Sequence, residues 1–301
     1  MGSRPAIFPV TDGSATSGTR RKSVRPQMMA ARGLTHLLIA VLCLATIFPL
    51  LWMLSSAFKG PKEIFTPDIR LIPQHPTFGN FPQAFHLQPV GWWFLNSAII
   101  AVGITVGKLL ISIPAAYAFA RFRFMGRNLL FALVLGTMVV PYVSTIVPNY
   151  VLIAKLDWIN TRQGVIVPSI AFTGFNVFLL RQYIMSLPTE VFDAARIDGA
   201  GAWTTLWRIV LPLVRPAVAA VAILSFLSAW NLYLWPLLVL NDTKAKTLSV
   251  GMQYFAANQE GVQQWGPLMA TAALATLPPL MLYIVAQKAI ISAFVTSGAK
   301  G

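Results

Sequence analysis

Six mostly apolar runs, at about 35–58, 94–120, 129–153, 164–184, 216–240 and 268–290, dominate this chain of 301 residues. The hydrocarbon core of a bilayer is roughly 30 Å thick, and a helix crosses it in about 20 residues. Runs this long exceed a barrel strand and lack its alternation, so only a helix can satisfy their backbone in lipid. The sequence therefore predicts an all-α, polytopic membrane protein with six transmembrane helices. Composition agrees: 56% of residues are hydrophobic and only 11% charged, whereas soluble domains carry about a quarter charged residues. The first run is too long for the apolar region of a secretory signal and reads as a retained helix.

The net charge of +14, from 23 Lys and Arg against 9 Asp and Glu, would suggest nucleic acid in a soluble domain. Here the basic residues fall between apolar runs rather than on one face. They read as topology signals, and no nucleic-acid partner is implied. With the N-terminus inside, fifteen Lys and Arg lie at the inner ends of the spans and seven at the outer ends, with Lys108 alone within a span. That bias predicts a multi-pass protein with both termini in the cytoplasm. The expected organisation is a disordered basic tail over 1–32, a first transmembrane helix and external loop over 33–93, a transmembrane core over 94–290, and a cytoplasmic tail over 291–301. Arg20, Arg21, Lys22 and Arg25 in the first tail suit anionic lipid head groups as well as an orientation role. The single cysteine, Cys43, excludes an intrachain disulfide, and three scattered histidines give no metal-ligand spacing.

The cytoplasmic loop of the core, 185–215, is the most informative polar stretch. Pro188 can open a helix and Gly199 can close it through a left-handed conformation. A second short helix then runs to Leu211, where Pro212 marks its end, with Trp203, Leu206, Trp207 and Val210 spaced to share one face. A helix lying on lipid carries Lys or Arg along its polar face. This loop instead mixes Glu190, Asp193 and Asp198 with Arg196 and Arg208, which favours a protein partner.

Asp193-Ala194-Ala195, three residues, Gly199, nine residues, then Ile209-Val210-Leu211-Pro212 resembles the signature of the membrane subunits of binding-protein-dependent ABC importers. That signature is E-A-A, three residues, Gly, nine residues, I-x-L-P. The resemblance is to the carbohydrate-uptake branch, which includes the maltose and glycerol-3-phosphate permease subunits. Asp193 replaces the leading Glu, keeping the carboxylate with one methylene less reach. Phe94–Ser97, Ala116–Phe124, Asp157–Thr161, Trp230–Pro236 and Ser297–Gly301 also resemble that branch, so the likeness runs from about residue 35 to the end. It implies a type I ABC importer transmembrane fold in a bacterial inner membrane. It also implies that Glu190, Asp193, Ala194, Ala195, Asp198, Gly199 and Trp203 seat against a partner ATPase. The partners implied are a second homologous permease subunit, two ATPase subunits carrying ATP and Mg, an extracytoplasmic substrate-binding protein, and membrane lipids. The chain itself needs no cofactor under this reading. In agreement, it has no G-x-x-x-x-G-K-[ST] phosphate loop.

The solute path is less legible. Pro49, Pro114, Pro141, Pro148, Pro168, Pro236, Pro278 and Pro279 interrupt the apolar runs, either as gates or as ordinary curvature. Asn231, Tyr233 and Trp235 offer amide and aromatic groups suited to a sugar ring, or to helix packing. An unpaired ammonium in hydrocarbon costs several kcal/mol, so Lys108 must face a cavity, a carboxylate or the surface, with a partner subunit, water or an anionic substrate as its complement. No carboxylate lies in any apolar run. The function expected is translocation of a sugar or sugar-like polyol, with glycerol 3-phosphate and glycerophosphodiesters among the candidates. An ion-coupled secondary transporter and a membrane-embedded enzyme are the alternatives. Both need intramembrane acidic or histidine groups, and the apolar runs have no such pair.

Overall fold

A computed structural model of the chain describes residues 26–64, 70–257 and 264–298, with side chains placed from residue 33 to residue 287 within those ranges. The basic cluster Arg20–Arg25, the side chain of Lys288 and the terminal residues 299–301 lie outside the described residues. Every regular element among the described residues is a helix. The chain divides into two compact units, 1–50 and 51–301. In the first unit, the helix that begins at Pro26 and ends at Ser56 leaves Leu38, Leu42, Leu44 and Ile47 exposed, as a helix solvated by lipid tails does.

The second unit is built around the 32-residue helix Val90–Arg121. Arg162–Ile170, Gly174–Met185 and Arg215–Trp230 pack along it. One core cluster surrounds the half nearer Val90, with Trp93, Ile100, Ile104, Val165, Trp230 and Trp235 buried together. A second surrounds the half nearer Arg121, with Ile113, Tyr117, Leu180, Ile184, Val210 and Val221. The helix Trp265–Gly298 packs on Arg215–Trp230 and on the short helix Asn80–Leu87. Asn80 fixes that short helix by donating to the carbonyls of Ala57 and Lys59 at 2.9 and 2.8 Å. Close approach needs a glycine at Gly107, where an added Cβ would collide with Ile170 on the facing helix.

Among the described residues, three helices are long and apolar enough to span a bilayer unbroken: Gly33–Ser56, Val90–Arg121 and Trp265–Gln287. The other three apolar runs are each broken rather than continuous. The run at 164–184 is a pair of helices, Arg162–Ile170 and Gly174–Met185, bent by 48°. Pro168 lies two residues before that bend, where its missing N–H and its ring weaken the helical ladder. The run at 129–153 is divided into Arg127–Gly136, a tight turn at Tyr142–Thr145, and Ile146–Lys155. Pro141 caps that turn in an extended conformation and disfavours a helical residue before it. The run at 216–240 is a helix to Trp230, an irregular Asn231–Tyr233, then Leu234–Val239, with Pro236 in the first turn of the restarted helix.

Candidate functional site

The loop at 185–215 begins with a nine-residue helix, Thr189–Ile197, carrying Glu190 in its first turn and Arg196 in its last. These charges complement the helix dipole. Gly199 has φ +71°. Ala200 N–H donates to Ala195 O at 2.9 Å and Gly199 N–H to Arg196 O at 3.1 Å. Those two bonds form a Schellman cap, which requires one residue in the left-handed region. The spacing Ala195, three residues, Gly199, Ala200 is thereby explained by backbone geometry.

The face of this helix that turns inward carries Ala195, 3% exposed, and Phe192. The Arg121 guanidinium sits 3.6 Å over the centre of the Phe192 ring. The same guanidinium donates to the carbonyls of Ile184 and Leu187, each at 2.9 Å. One side chain at the end of Val90–Arg121 thus ties together the end of Gly174–Met185 and the loop helix. The sequence reading counts Arg121 among the topology charges and within the Ala116–Phe124 resemblance; its packing partners lie more than sixty residues away and leave no local signal.

The outward face carries Asp193, Ala194, Arg196, Ile197 and Asp198, with Glu190 also exposed. Asp193 and Arg196 approach to 3.6 Å in the open, a pairing that contributes little to stability. Ile197 is 87% exposed. The next segment departs from the expected single apolar face. Leu206 and Val210 are buried, whereas Trp203 and Trp207 are exposed and stack with ring centres 6.1 Å apart. The reason is a π-helical stretch, Thr205–Val210, whose wider turn shifts the angular spacing. Pro212 follows; it has no N–H to donate to Arg208, and its ring crowds that carbonyl. The segment Ala202–Leu213 meets Arg215–Trp230 at 82°, the angle of an element lying across the end of a span. A groove of about 660 Å³ runs between Tyr117, Arg121, Phe192, Asp193 and Thr205.

At the Val90 end, several polar groups satisfy one another. Asn96 donates to the carbonyls of Lys244, Ala245 and Lys246 at 2.8–3.0 Å, and accepts from Arg162 Nε at 3.0 Å. The Trp93 indole donates to Thr243 O at 2.6 Å, and Asn160 accepts from the N–H groups of Asn241 and Asp242 at 2.6 and 3.0 Å. A hydrogen bond from Lys246 holds the Tyr254 phenol below its usual pKa. None of these contacts is evident in the sequence.

The four pore candidates separate. Trp235 is 1% exposed and donates to Gly164 O at 3.1 Å; of the two roles open to it in the sequence, this burial favours helix packing. Asn231 is exposed and donates to Leu227 O at 2.9 Å, and Tyr233 is half-buried at the helix break. Lys108 lines a cavity of about 160 Å³ with Tyr142, Ser169, Phe172, Ser228 and Leu232. Among the described residues, no group of metal-ligating side chains comes together.

The comparisons agree with this geometry. Residues 108–295 match the family described as "Binding-protein-dependent transport system inner membrane component". The chain is 36% identical over 269 residues to the sn-glycerol-3-phosphate transport system permease protein UgpE of Pectobacterium atrosepticum, covering 87% of this chain and 95% of that protein. It is 36% identical over 258 residues to the diacetylchitobiose uptake system permease protein NgcG of Streptomyces coelicolor, covering 85% of each. Its fold resembles a chain in the crystal structure of a bacterial ABC transporter involved in the import of the acidic polysaccharide alginate, with a TM-score of 0.79, 23% identity, and coverage of 88% of this chain and 97% of that one. A Schellman-capped loop helix, a bent helical core and relatives matched over nearly their whole length lead to one conclusion: the chain belongs to the inner-membrane components of binding-protein-dependent transport systems, and is a transport subunit rather than an enzyme.

Proposed function

We propose that this chain is one of two homologous membrane subunits of an ATP-driven importer for a sugar or sugar-like polyol delivered by an extracytoplasmic binding protein. Two ATPase subunits carry ATP and Mg and supply the energy. Both termini and the loop at 185–215 face the cytoplasm. The reading rests chiefly on the loop helix Thr189–Ile197, capped at Gly199 and outwardly unpartnered. An exposed apolar and acidic face of this kind suits a groove in a protein partner. Glu190, Asp193, Ala194, Asp198 and Trp203 would touch the ATPase, with Ala195 and Gly199 shaping the helix that presents them. ATP-driven closure of the ATPases would push on this helix, and the Arg121 tether would pass the movement to the central span.

The test is transport by the complete complex in proteoliposomes. Accumulation of labelled solute is expected only with both ATP on the ATPase side and the binding protein on the other. Uptake driven by a proton gradient without ATP would refute the proposal in favour of a secondary transporter.

A further inference from the structure

We propose that the cavity at Lys108 is a subsite for a small anionic group, such as a phosphate monoester, carried by the passing solute. The inference rests on the importer reading above and narrows its substrate to an anionic one. Lys108 sits about 20 Å along its helix from Arg121 at 1.5 Å per residue, too deep for the head group of a surrounding lipid to be its natural partner. It lies between the two core clusters, one ending at Ile104 and the other beginning around Leu109. No hydrogen bond or ion pair to its ammonium is found among the described residues, and no carboxylate lies in any apolar run.

Three interruptions of the helical frame converge on this point. Tyr142 comes from the turn after Pro141, Ser169 and Phe172 from the 48° bend, and Ser228 and Leu232 from the end of Arg215–Trp230. Irregular backbone at such depth is tolerated where it lines a cavity, and intramembrane charges mark substrate paths. The opening, about 160 Å³, equals the share of about five waters. It admits a phosphate-sized group but not a whole oligosaccharide. A lone ammonium beside three hydroxyl side chains selects an anion over a cation.

The experiment uses the whole importer, with Ser228→Cys introduced in a Cys43→Ser background. A water-soluble thiol reagent is expected to label that cysteine. sn-Glycerol 3-phosphate should slow the labelling about tenfold, as expected for a charge-assisted contact, while neutral diacetylchitobiose should not. Adding Lys108→Met should remove the protection, and Lys108→Arg should keep most of it, with basal ATPase activity confirming that both assemble. Vesicles of pure phosphatidylcholine and vesicles containing phosphatidylglycerol separate a solute anion from a lipid one. Absence of labelling, equal protection by the neutral sugar, protection that survives Lys108→Met, or protection that needs anionic lipid each overturns the proposal. ATP dependence of uptake is read separately, so the importer reading can stand when the anion subsite falls.

Discussion

The two ends of the Val90–Arg121 helix handle polar groups in opposite ways. At the Val90 end, Asn96, Arg162, Asn160 and Trp93 spend their hydrogen-bonding capacity on the chain itself, clamping the loops at 157–162 and 240–248. At the Arg121 end, Arg121 and Arg181 are committed inward, while the loop that Arg121 holds leaves acids, Ile197 and Trp203 open. Groups that satisfy one another build a rigid support. Exposed apolar and charged groups beside a fixed anchor build a surface that waits for a partner. The same span therefore joins a self-sufficient end to an incomplete one.

Substitutions at the two ends should separate these roles. The largest functional effect is expected for Gly199→Val. A β-branched residue at φ +71° costs on the order of 1–3 kcal/mol of strain and distorts the capped helix. Solute uptake should fall tenfold or more while the subunit still inserts. Uptake at the wild-type rate would remove the cap from the mechanism. Next is Asn96→Ala, which strips three loop carbonyls of their donor. A single unsatisfied buried group costs about 1–3 kcal/mol, so thermal unfolding of the complex should move down by several degrees, with ATPase coupling per folded complex unchanged. A loss of coupling without a loss of stability would reverse the contrast. Arg121→Lys should act least, keeping the charge but losing the planar fork that reaches two carbonyls and a ring. Solute-stimulated ATPase activity should drop about two- to fivefold, in line with a cation–π contact of roughly 1 kcal/mol, and basal ATPase activity should hold.

The sequence reveals the loop at 185–215 well because its chemistry is contiguous. A capped helix is written in a dozen adjacent residues, and the Gly199 cap follows from backbone geometry alone. All-helical architecture is legible for a similar reason, since each apolar run reports helix, whether whole or broken. What escapes is whatever depends on distant partners. Arg121 over Phe192, Asn96 under the 244–246 carbonyls and the burial of Trp235 become visible only once the helices are packed. The breaks at Pro141 and after Pro168 were marked by their prolines. Proline is common in spans, however, and the residue alone does not say which run stays whole. The split of Trp203 and Trp207 from Leu206 and Val210 arises from the π-helical stretch ahead of Pro212, a change of helical pitch that a fixed 3.6-residue spacing cannot represent.

The central claim is that the exposed face of the Thr189–Ile197 helix seats against a cytoplasmic ATPase. Its most direct test is Ile197→Cys in the Cys43→Ser background, probed in the assembled importer with a membrane-impermeant thiol reagent and a short thiol cross-linker. The account predicts labelling only from the cytoplasmic side and a cross-linked product containing the ATPase subunit, with ATP changing its yield. Labelling from the outer side, or a product with the binding protein in place of the ATPase, would contradict it.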